Sequence, residues 1–221
     1  MVRGDLSKRK IALVFTGDTF AEGGELIANT LKAKNVDASF FFTGNFYQNQ
    51  KFAPLIKRLK SDGHYLGPHS DKHLLYCSWT NRDSLLVSED QFTKDLLANY
   101  SAMEKFGIKK KDARYFIPPY EWYNDSISKW TMQLGIQLIN FSPGTRSTSD
   151  YTTPDMKNYR SSDEIMQSIK AKDNDLNGFI LLLHIGTDPA RTDKFYRRLD
   201  ELIEFLRSGK YEIVRVDELL D

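Results

Sequence analysis

The sequence predicts an α/β fold in which helices surround a parallel β-sheet. Seven short apolar segments alternate with amphipathic helical patterns along the 221 residues. Short apolar runs are typical of buried strands, whereas apolar residues three to four positions apart are typical of helices. The alternation therefore predicts either a closed barrel of seven or eight strand–helix units or an open, doubly wound sheet.

The order of the segments supports this interpretation along the whole chain. Turn residues separate the segments, and Pro118-Pro119 ends the fourth strand because proline cannot continue a ladder. A long loop, residues 74–87, follows the third strand, and its length is typical of a functional loop. Predicted strands are residues 10–15, 38–42, 64–67, 114–117, 137–141, 179–184 and 211–215, and predicted helices are 23–34, 52–61, 88–106, 124–134, 162–172 and 192–208.

Composition predicts one domain that covers residues 1–221. The chain is 40% hydrophobic and 28% charged, which is enough apolar material for one substantial core. Its net charge is +1 and charges of both signs are interspersed, so a nucleic-acid partner is not expected. The single cysteine, Cys77, excludes an intrachain disulfide and a multi-cysteine zinc site. No apolar run is long enough for a membrane span, and residues 1–5 lack the apolar stretch of a signal peptide.

Two of the four histidines, His69 and His73, lie four residues apart just after the third predicted strand. If the chain turns helically there, both imidazoles face one side and can bind one metal ion. Spacing alone does not decide this, because loop histidines are more often surface or hydrogen-bonding residues.

Polar residues follow the ends of other predicted strands as well, at Asp18, at Tyr120 and Glu121, and at His184. The carboxyl ends of barrel strands converge on one face, where such folds place their chemistry. No glycine-rich phosphate-binding motif follows the first strand, so nucleotide binding has little support.

Several segments, in this order, resemble the polysaccharide deacetylases of the NodB-homology class, carbohydrate esterase family 4. The most specific is Gly63-His64-Tyr65-Leu66-Gly67-Pro68-His69-Ser70-Asp71-Lys72-His73. The first strand, residues 38–41 followed by Gly44, Pro118-Pro119-Tyr120, and the apolar strand that ends at His184 accompany it. The resemblance covers nearly the whole chain and implies a distorted (β/α) barrel of seven or eight units.

The resemblance also implies a divalent metal, usually zinc, held by an aspartate and two histidines. His69 and His73 match the two histidine ligands. The backbone N–H of Tyr120 matches the donor to the oxyanion, and His184 matches the general acid that protonates the leaving group. The chemistry is physically sound, since zinc with three protein ligands keeps one position open and lowers the pKa of its water.

The first and third motifs depart from the family pattern. Thr16 and Gly17 stand where the family has its base and its metal-binding aspartate, and Ile117 replaces the arginine that pairs with the base. Losing both charges together avoids an unpaired buried arginine, which indicates a rearranged site. We expect Asp18, one residue further on, to be the third metal ligand; the alternative is an aspartate that caps the loop.

Glu121 stands where the family commonly has glycine. It could replace the missing base, bind the metal, or only make a surface contact. The aspartate that orients the acid histidine is not evident in residues 140–144, and Asp188 is a possible substitute. Aromatic side chains near these motifs, Trp79, Trp122 and Tyr123, are candidate platforms for sugar rings.

These features lead to the hypothesis of a metal-dependent deacetylase that removes N- or O-acetyl groups from a polysaccharide or oligosaccharide. One alternative is a catalytically degenerate carbohydrate-binding or accessory module on the same fold. Another is a metal-dependent hydrolase of a different amide or ester bond, which fold alone does not exclude. The resemblance further implies an extracytoplasmic location, periplasmic or secreted.

Overall fold

The computed structural model describes residues 1–221 and confirms the alternation of strands and helices. Every paired strand runs parallel to its neighbour. The strands are β1 (Lys10–Gly17), β2 (Ser39–Phe42), β3 (Tyr65–Pro68), β4 (Tyr115–Phe116), β5 (Gln137–Leu138), β6 (Phe179–His184) and β7 (Glu212–Val214). The helices are α1 (Gly24–Lys34), α2 (Gly44–Gln48), α3 (Ala53–Ser61), α4 (Glu89–Glu104), α5 (Asp125–Gln133), α6 (Ser162–Lys170), α7 (Leu199–Ser208) and α8 (Val216–Leu220).

Strand β1 is the centre of the main sheet, whose order is β3-β2-β1-β6 with β7 also paired to β1. One edge of β1 pairs with β6 from Ile11 to Thr16, which sets Thr16 beside His184. Its other edge is shared, because the carboxyl half pairs with β2 and the amino half with β7. The carboxyl ends of these strands therefore lie together.

Two seams close the sheet into a barrel. The Ile117 N–H donates to the carbonyl of Pro68, 3.4 Å away, and joins the β4–β5 pair to β3. On the far side, the Ser142 N–H donates to the carbonyl of Ile180 at 3.0 Å and joins the segment after β5 to β6. The seams contain few hydrogen bonds, so the barrel is distorted. The predicted α/β fold, a distorted (β/α) barrel, is confirmed.

Alternate strand residues divide the core into two layers. Ala12 and Val14 of β1 belong to a cluster of 12 buried apolar residues that fills the barrel. Ile11, Leu13 and Phe15 face the other way and join a cluster of 43 residues beneath the helices. Because successive strand side chains point to opposite faces, this arrangement follows from the continuous apolar runs of the sequence.

Several helices begin at caps that the sequence supplies. Ser88 and Gln91 form a capping box at α4, Asn124 caps α5 through the Ile127 N–H, and Ser161 with Glu164 caps α6. The helix predicted from residue 192 begins instead at Leu199, after a 3₁₀ turn at Phe195–Arg198, and the short helices α2 and α8 were not predicted. None of the helices combines the length and apolar character needed to cross a bilayer.

Candidate active site

A cavity of about 550 Å³ opens at the carboxyl ends of β1, β3, β4 and β6. The convergence expected for the polar residues that follow these strands is therefore present. The predicted residues that line it are Asp18, His69, His73, Trp79, Tyr120, Glu121 and His184.

His69 is held from two sides at the floor of the cavity. Its backbone N–H donates to the Asn99 side-chain oxygen at 2.9 Å, and its ring Nδ1 lies 2.8 Å from the carbonyl oxygen of Ile117. A carbonyl only accepts, so Nδ1 carries the proton and Nε2 presents a lone pair. Burial, and then the neighbouring His73, lower the pKa of His69 to about 3, so this imidazole is neutral.

The segment between the two histidines is a strained turn, so the helical geometry expected for the pair is wrong. Ser70 and His73 both have left-handed backbones, with φ of 72° and 54°. The His73 N–H donates to the Ser70 hydroxyl at 2.8 Å, and Asp95 of α4 accepts from the Lys72 N–H at 3.0 Å. These side chains take the place of the carbonyl four residues earlier, which would accept in a helix.

The turn nevertheless brings the two imidazoles together. The ring centroids of His69 and His73 are 5.1 Å apart. Burial lowers the pKa of His73, which outweighs the opposing effect of the Asp18 charge. Both rings are thus neutral, the state in which histidine binds a metal.

Asp18 lies next to His73 and is ionised. Its Oδ1 accepts from the Thr43 hydroxyl at 2.7 Å and from the Asn45 amide at 3.3 Å, and its Oδ2 accepts from the Thr19 hydroxyl at 2.9 Å. Burial alone would raise the pKa of Asp18, but these hydrogen bonds and His73 lower it overall. Asp18 is thus hydrogen-bonded both to Thr19 of its own loop and to Thr43 and Asn45 of the segment after β2.

The donor chemistry of these three residues fits a divalent cation. Two neutral imidazoles and one carboxylate are the ligand types that zinc prefers. In the structure, however, no group of three His, Cys, Asp or Glu side chains is arranged closely enough to form a complete metal site. Ligation by Asp18, His69 and His73 stays a prediction.

His184 has a buried carboxylate partner that sequence reasoning missed. Its Nδ1 lies 2.6 Å from Oδ1 of Asp150, and its backbone N–H donates to Oδ2 of the same residue at 2.9 Å. Burial would lower the pKa of His184, but Asp150 outweighs this and raises it. Asp188, the suggested substitute, instead accepts from the Ala190 N–H at 2.7 Å. Asp150 lies in a polar loop that carries no motif, so only its charge could have indicated it.

Glu121 is partly buried and lines the cavity together with His184. Burial raises its pKa to about 7, with an opposing contribution from His184 and a further increase from Asp150. Tyr120 and Glu121 both have left-handed backbones, with φ of 59° and 53°. Each such residue costs about 1–3 kcal/mol, and such strain clusters at functional sites. The Asn140 amide holds this turn by donating to the carbonyl of Glu121 at 2.8 Å.

Exposed aromatic rings surround the cavity. The four most exposed rings in the chain all line it: Trp79 at 56% exposure, Tyr120 at 44%, Tyr151 at 42% and Phe20 at 36%. Trp79 and Tyr120 meet edge to face, 5.6 Å apart. Tyr151 and Phe20 were not among the predicted platforms.

Two of the predicted sugar platforms lie outside the cavity lining. Trp122 packs against Trp79 at 5.5 Å, donates its indole N–H to the Ser78 carbonyl, and is covered by Arg82 at 4.2 Å. Tyr123 packs against the main core. Of the three predicted platforms, only Trp79 faces the cavity.

A buried arginine holds the loop that carries Asp150 and Tyr151. Arg191 has no exposed surface, and its Nη1 and Nη2 donate to the carbonyls of Thr152 at 2.7 Å and Arg160 at 3.0 Å. Its guanidinium also lies 5.1 Å from the Tyr159 ring centroid. The loop is thereby attached to the segment that follows β6.

The fold and this set of side chains agree with a known family. The model of the polysaccharide deacetylase family matches residues 3–139, which is more than half of the chain. The chain belongs to this family. The matched range includes Asp18, His69, His73 and Glu121, whereas His184 follows it.

Among curated proteins, the chain is similar to an uncharacterised 30.6 kDa protein of Geobacillus stearothermophilus, at 29% identity over 98% of this chain and 73% of that protein. It is 28% identical to the peptidoglycan-N-acetylmuramic acid deacetylase PdaA of Bacillus subtilis, again over 98% and 73% of the two chains. A peptidoglycan-N-acetylglucosamine deacetylase of Bacillus cereus is 26% identical over 88% of this chain and 80% of its own length.

Solved structures show the same fold. A carbohydrate esterase family 4 pseudoenzyme from Bacillus anthracis superposes with a TM-score of 0.77 at 21% identity, over 100% of this chain and 68% of that one. The Bc1960 peptidoglycan N-acetylglucosamine deacetylase superposes with a TM-score of 0.80 at 21% identity, over 99% and 91%.

Proposed function

We propose that this protein is a metal-dependent deacetylase that hydrolyses N- or O-acetyl groups of a polysaccharide or oligosaccharide. Family membership supports the reaction class. The observation that carries the proposal is the His184–Asp150 pair, at 2.6 Å, in the same cavity as the neutral imidazoles of His69 and His73. A proton donor beside a set of metal-ligand types is what acetyl hydrolysis needs.

His69, His73 and Asp18 would hold the divalent cation, which we propose is zinc. When bound, zinc supplies Lewis acidity toward the acetyl oxygen. The carbonyl of Ile117 keeps Nε2 of His69 free of a proton, and the hydrogen bonds from Thr43 and Thr19 keep Asp18 ionised. These contacts prepare His69 and Asp18 for a cation before it arrives.

The remaining residues move and hold protons. Glu121, with its pKa raised to about 7, takes the place of the missing base and accepts a proton from the attacking water. His184 donates a proton to the leaving amine or hydroxyl, and Asp150 keeps it charged and oriented. The backbone N–H of Tyr120 is our candidate donor to the oxyanion, and Trp79 is our candidate platform for a sugar ring.

The substrate and setting are extensions of the same proposal. Two curated relatives are named as peptidoglycan deacetylases, so an acetylated glycan such as peptidoglycan is the first substrate to test. Peptidoglycan lies outside the cytoplasmic membrane, and we therefore propose an extracytoplasmic site of action. We also propose that residues 1–221 form a single catalytic domain.

The test measures acetate release and zinc content together. Zinc-loaded protein should release acetate from N-acetylated chitooligosaccharides or from peptidoglycan, and His184→Ala should lose this activity while it retains zinc. The double variant His69→Ala/His73→Ala should lose zinc, with His64→Asn as the control for a histidine outside the cavity. Zinc retained by the double variant would overturn the assigned metal site.

A second candidate function is a carbohydrate-binding protein without activity. Thr16 and Gly17 at the end of β1 favour it, because neither residue can act as a base or a metal ligand of the family type. This function predicts glycan binding with no acetate release at any pH, even in the zinc-loaded protein.

A further inference from the structure

The long loop between β3 and α4 contains a segment that folds back on itself, residues 76–86, which we call the hairpin loop. Across it, the Ser78 N–H donates to the carbonyl of Ser84 at 2.9 Å. Tyr76, at one end, has no exposed surface, so the hairpin loop is anchored in the core. Arg82 lies near the tip of the hairpin loop and is exposed.

Three hydrogen bonds join the hairpin loop to the segment that leads into α5. The Trp122 indole N–H donates to the carbonyl of Ser78 at 3.2 Å, and the Asn124 amide donates to the carbonyl of Arg82 at 3.0 Å. In the opposite direction, Nε of Arg82 donates to the carbonyl of Tyr123. Because each side supplies both donors and acceptors, the two segments fix each other.

The Arg82 guanidinium has aromatic rings as partners instead of a carboxylate. It lies 4.2 Å from the ring centroid of Trp122 and 5.4 Å from that of Tyr123. No salt bridge in the structure includes Arg82. A planar guanidinium stacks on aromatic faces as well as attracting them electrostatically. Arg82 therefore contributes a packing contact to the segment that leads into α5.

The backbone immediately before this segment is strained. Tyr120 and Glu121 have left-handed backbones, and the turn has two hydrogen bonds of its own. The Glu121 N–H donates to the carbonyl of Pro118 at 3.0 Å, and the Trp122 N–H donates to that of Pro119 at 3.2 Å. Strained conformations persist only where surrounding contacts over-determine them. The hairpin loop supplies such contacts directly after the strained pair.

Ring contacts continue from the hairpin loop into the cavity. The Trp79 ring centroid lies 5.5 Å from that of Trp122 and 5.6 Å from that of Tyr120. The Tyr120 centroid in turn lies 4.4 Å from that of His73. Arg82 is thus at the outer end of a continuous series of ring contacts that reaches the candidate metal ligands.

We propose that Arg82 is a positioning residue for the hydrolysis. Through its contacts with Trp122 and Tyr123, it keeps the turn in the conformation that orients the Glu121 carboxylate and the Tyr120 N–H. The inference rests on the proposed function for the roles of Glu121 as base and of the Tyr120 N–H as oxyanion donor. The conformation of the turn can be measured independently of turnover.

Hydrogen exchange, followed by NMR in the zinc-loaded protein, tests the contact itself. Arg82→Gln should raise the exchange rates of the Glu121 and Trp122 amide protons by about tenfold, because the turn opens locally more often. Arg114→Gln is the matched control. Arg114 also lies over an aromatic ring, 5.8 Å from the centroid of Tyr115 at the opposite end of the barrel, and its substitution should leave these rates unchanged.

Arg82→Lys separates stacking from charge. An ammonium keeps the charge but lacks the planar face, and the charges that act on the pKa of Glu121 are those of His184 and Asp150. Arg82→Lys should therefore raise the exchange rates as Arg82→Gln does. In both variants kcat should fall about tenfold while the zinc content stays the same, because the reacting groups are misplaced and the metal ligands are not removed.

Three results would overturn the inference: equal exchange rates in Arg82→Gln and Arg114→Gln, exchange rates or kcat restored by Arg82→Lys, or faster exchange with kcat unchanged. Failure of the proposed function looks different. If the unsubstituted protein releases no acetate, that function is wrong, and the exchange rates still decide whether Arg82 holds the turn.

Discussion

The two histidine centres of the cavity differ in the direction of their pKa shifts although they line the same cavity. At His69 and His73, burial lowers the pKa, and the main hydrogen-bond partner of the His69 ring is an uncharged carbonyl. At His184, burial acts in the same direction, but the buried Asp150 carboxylate reverses it and raises the pKa. One centre is therefore suited to bind a cation, and the other to donate a proton.

The comparison shows that the partner, more than the burial, decides what each imidazole does. All three rings are at least partly buried, yet only the one that contacts a carboxylate has its pKa raised. Such divergence between neighbouring titratable groups is how an active site assigns acid and ligand roles. Four predictions test the two centres and the residues around them, and they follow in order of expected effect.

The largest effect is expected for Asp150→Asn. Without the carboxylate, burial dominates and the pKa of His184 falls, so the acid form is lost at lower pH and kcat decreases by about 10²–10⁴-fold. The pH–rate profile should show its basic limb moved to lower pH, while zinc affinity stays the same. Asp155→Asn, in the same loop and bonded to Thr153, is the control. An unchanged basic limb would show that Asp150 does not set the protonation of His184.

Glu121→Gln is expected to lower kcat by about 10²-fold. The base must be ionised, so activity should rise with pH through about 7 as Glu121 loses its proton. That acidic limb should disappear in the variant, which has no proton to lose at this position. Glu104→Gln, an exposed change at the end of α4, should leave the profile intact. If the limb persists in Glu121→Gln, another group is the base.

Asp95→Asn should weaken zinc binding by about 10–100-fold, because Asp95 holds the turn that presents His73. The titration of His184, followed by NMR, should not move, since Asp95 touches only the other centre. Asp90→Asn on the same helix is exposed and serves as the control. Equal zinc affinity in both variants would mean that the turn keeps its shape without Asp95.

The smallest effect is expected for Thr16→Val, between the two centres. The Thr16 hydroxyl is buried without a hydrogen-bond partner, so its loss should leave the free energy of unfolding within about 1 kcal/mol or raise it. Thr43→Val removes a helix cap that also binds Asp18, and should cost about 1 kcal/mol. Urea unfolding of both variants checks this contrast. A large loss in Thr16→Val would indicate a contact that the structure does not contain.

The sequence predicted the strands well, because continuous apolar runs that end at polar or glycine residues leave few alternatives. It also placed His69, His73 and His184 at one cavity, since the carboxyl ends of parallel strands meet. The predicted helical turn between the histidines was wrong, because side chains replace the carbonyl acceptors of a helix. The Ser70 hydroxyl accepts from the His73 N–H, and Asn99 and Asp95 of α4 accept from residues 30 and 23 positions away. Such long-range partners leave no local pattern.

Asp150 is a second residue whose role the sequence could not predict. It lies 34 residues before its partner His184, in a loop of Ser, Thr and Gly that gives no periodic signal. Asp150 and His184 come together only because the barrel closes where the segment that follows β5 pairs with strand β6. Carboxylate partners of this kind depend on topology, which composition and spacing do not contain.

The buried Arg191 reduces the conformational entropy that the loop of Asp150 and Tyr151 loses when a ligand binds. Its guanidinium attaches the loop of Asp150 and Tyr151 through two main-chain carbonyls, so this wall of the cavity is in place before any sugar arrives. Fixing the backbone of a free loop costs roughly 1–2 kcal/mol per residue in conformational entropy. A ligand that meets a loop already held by Arg191 does not bear that cost.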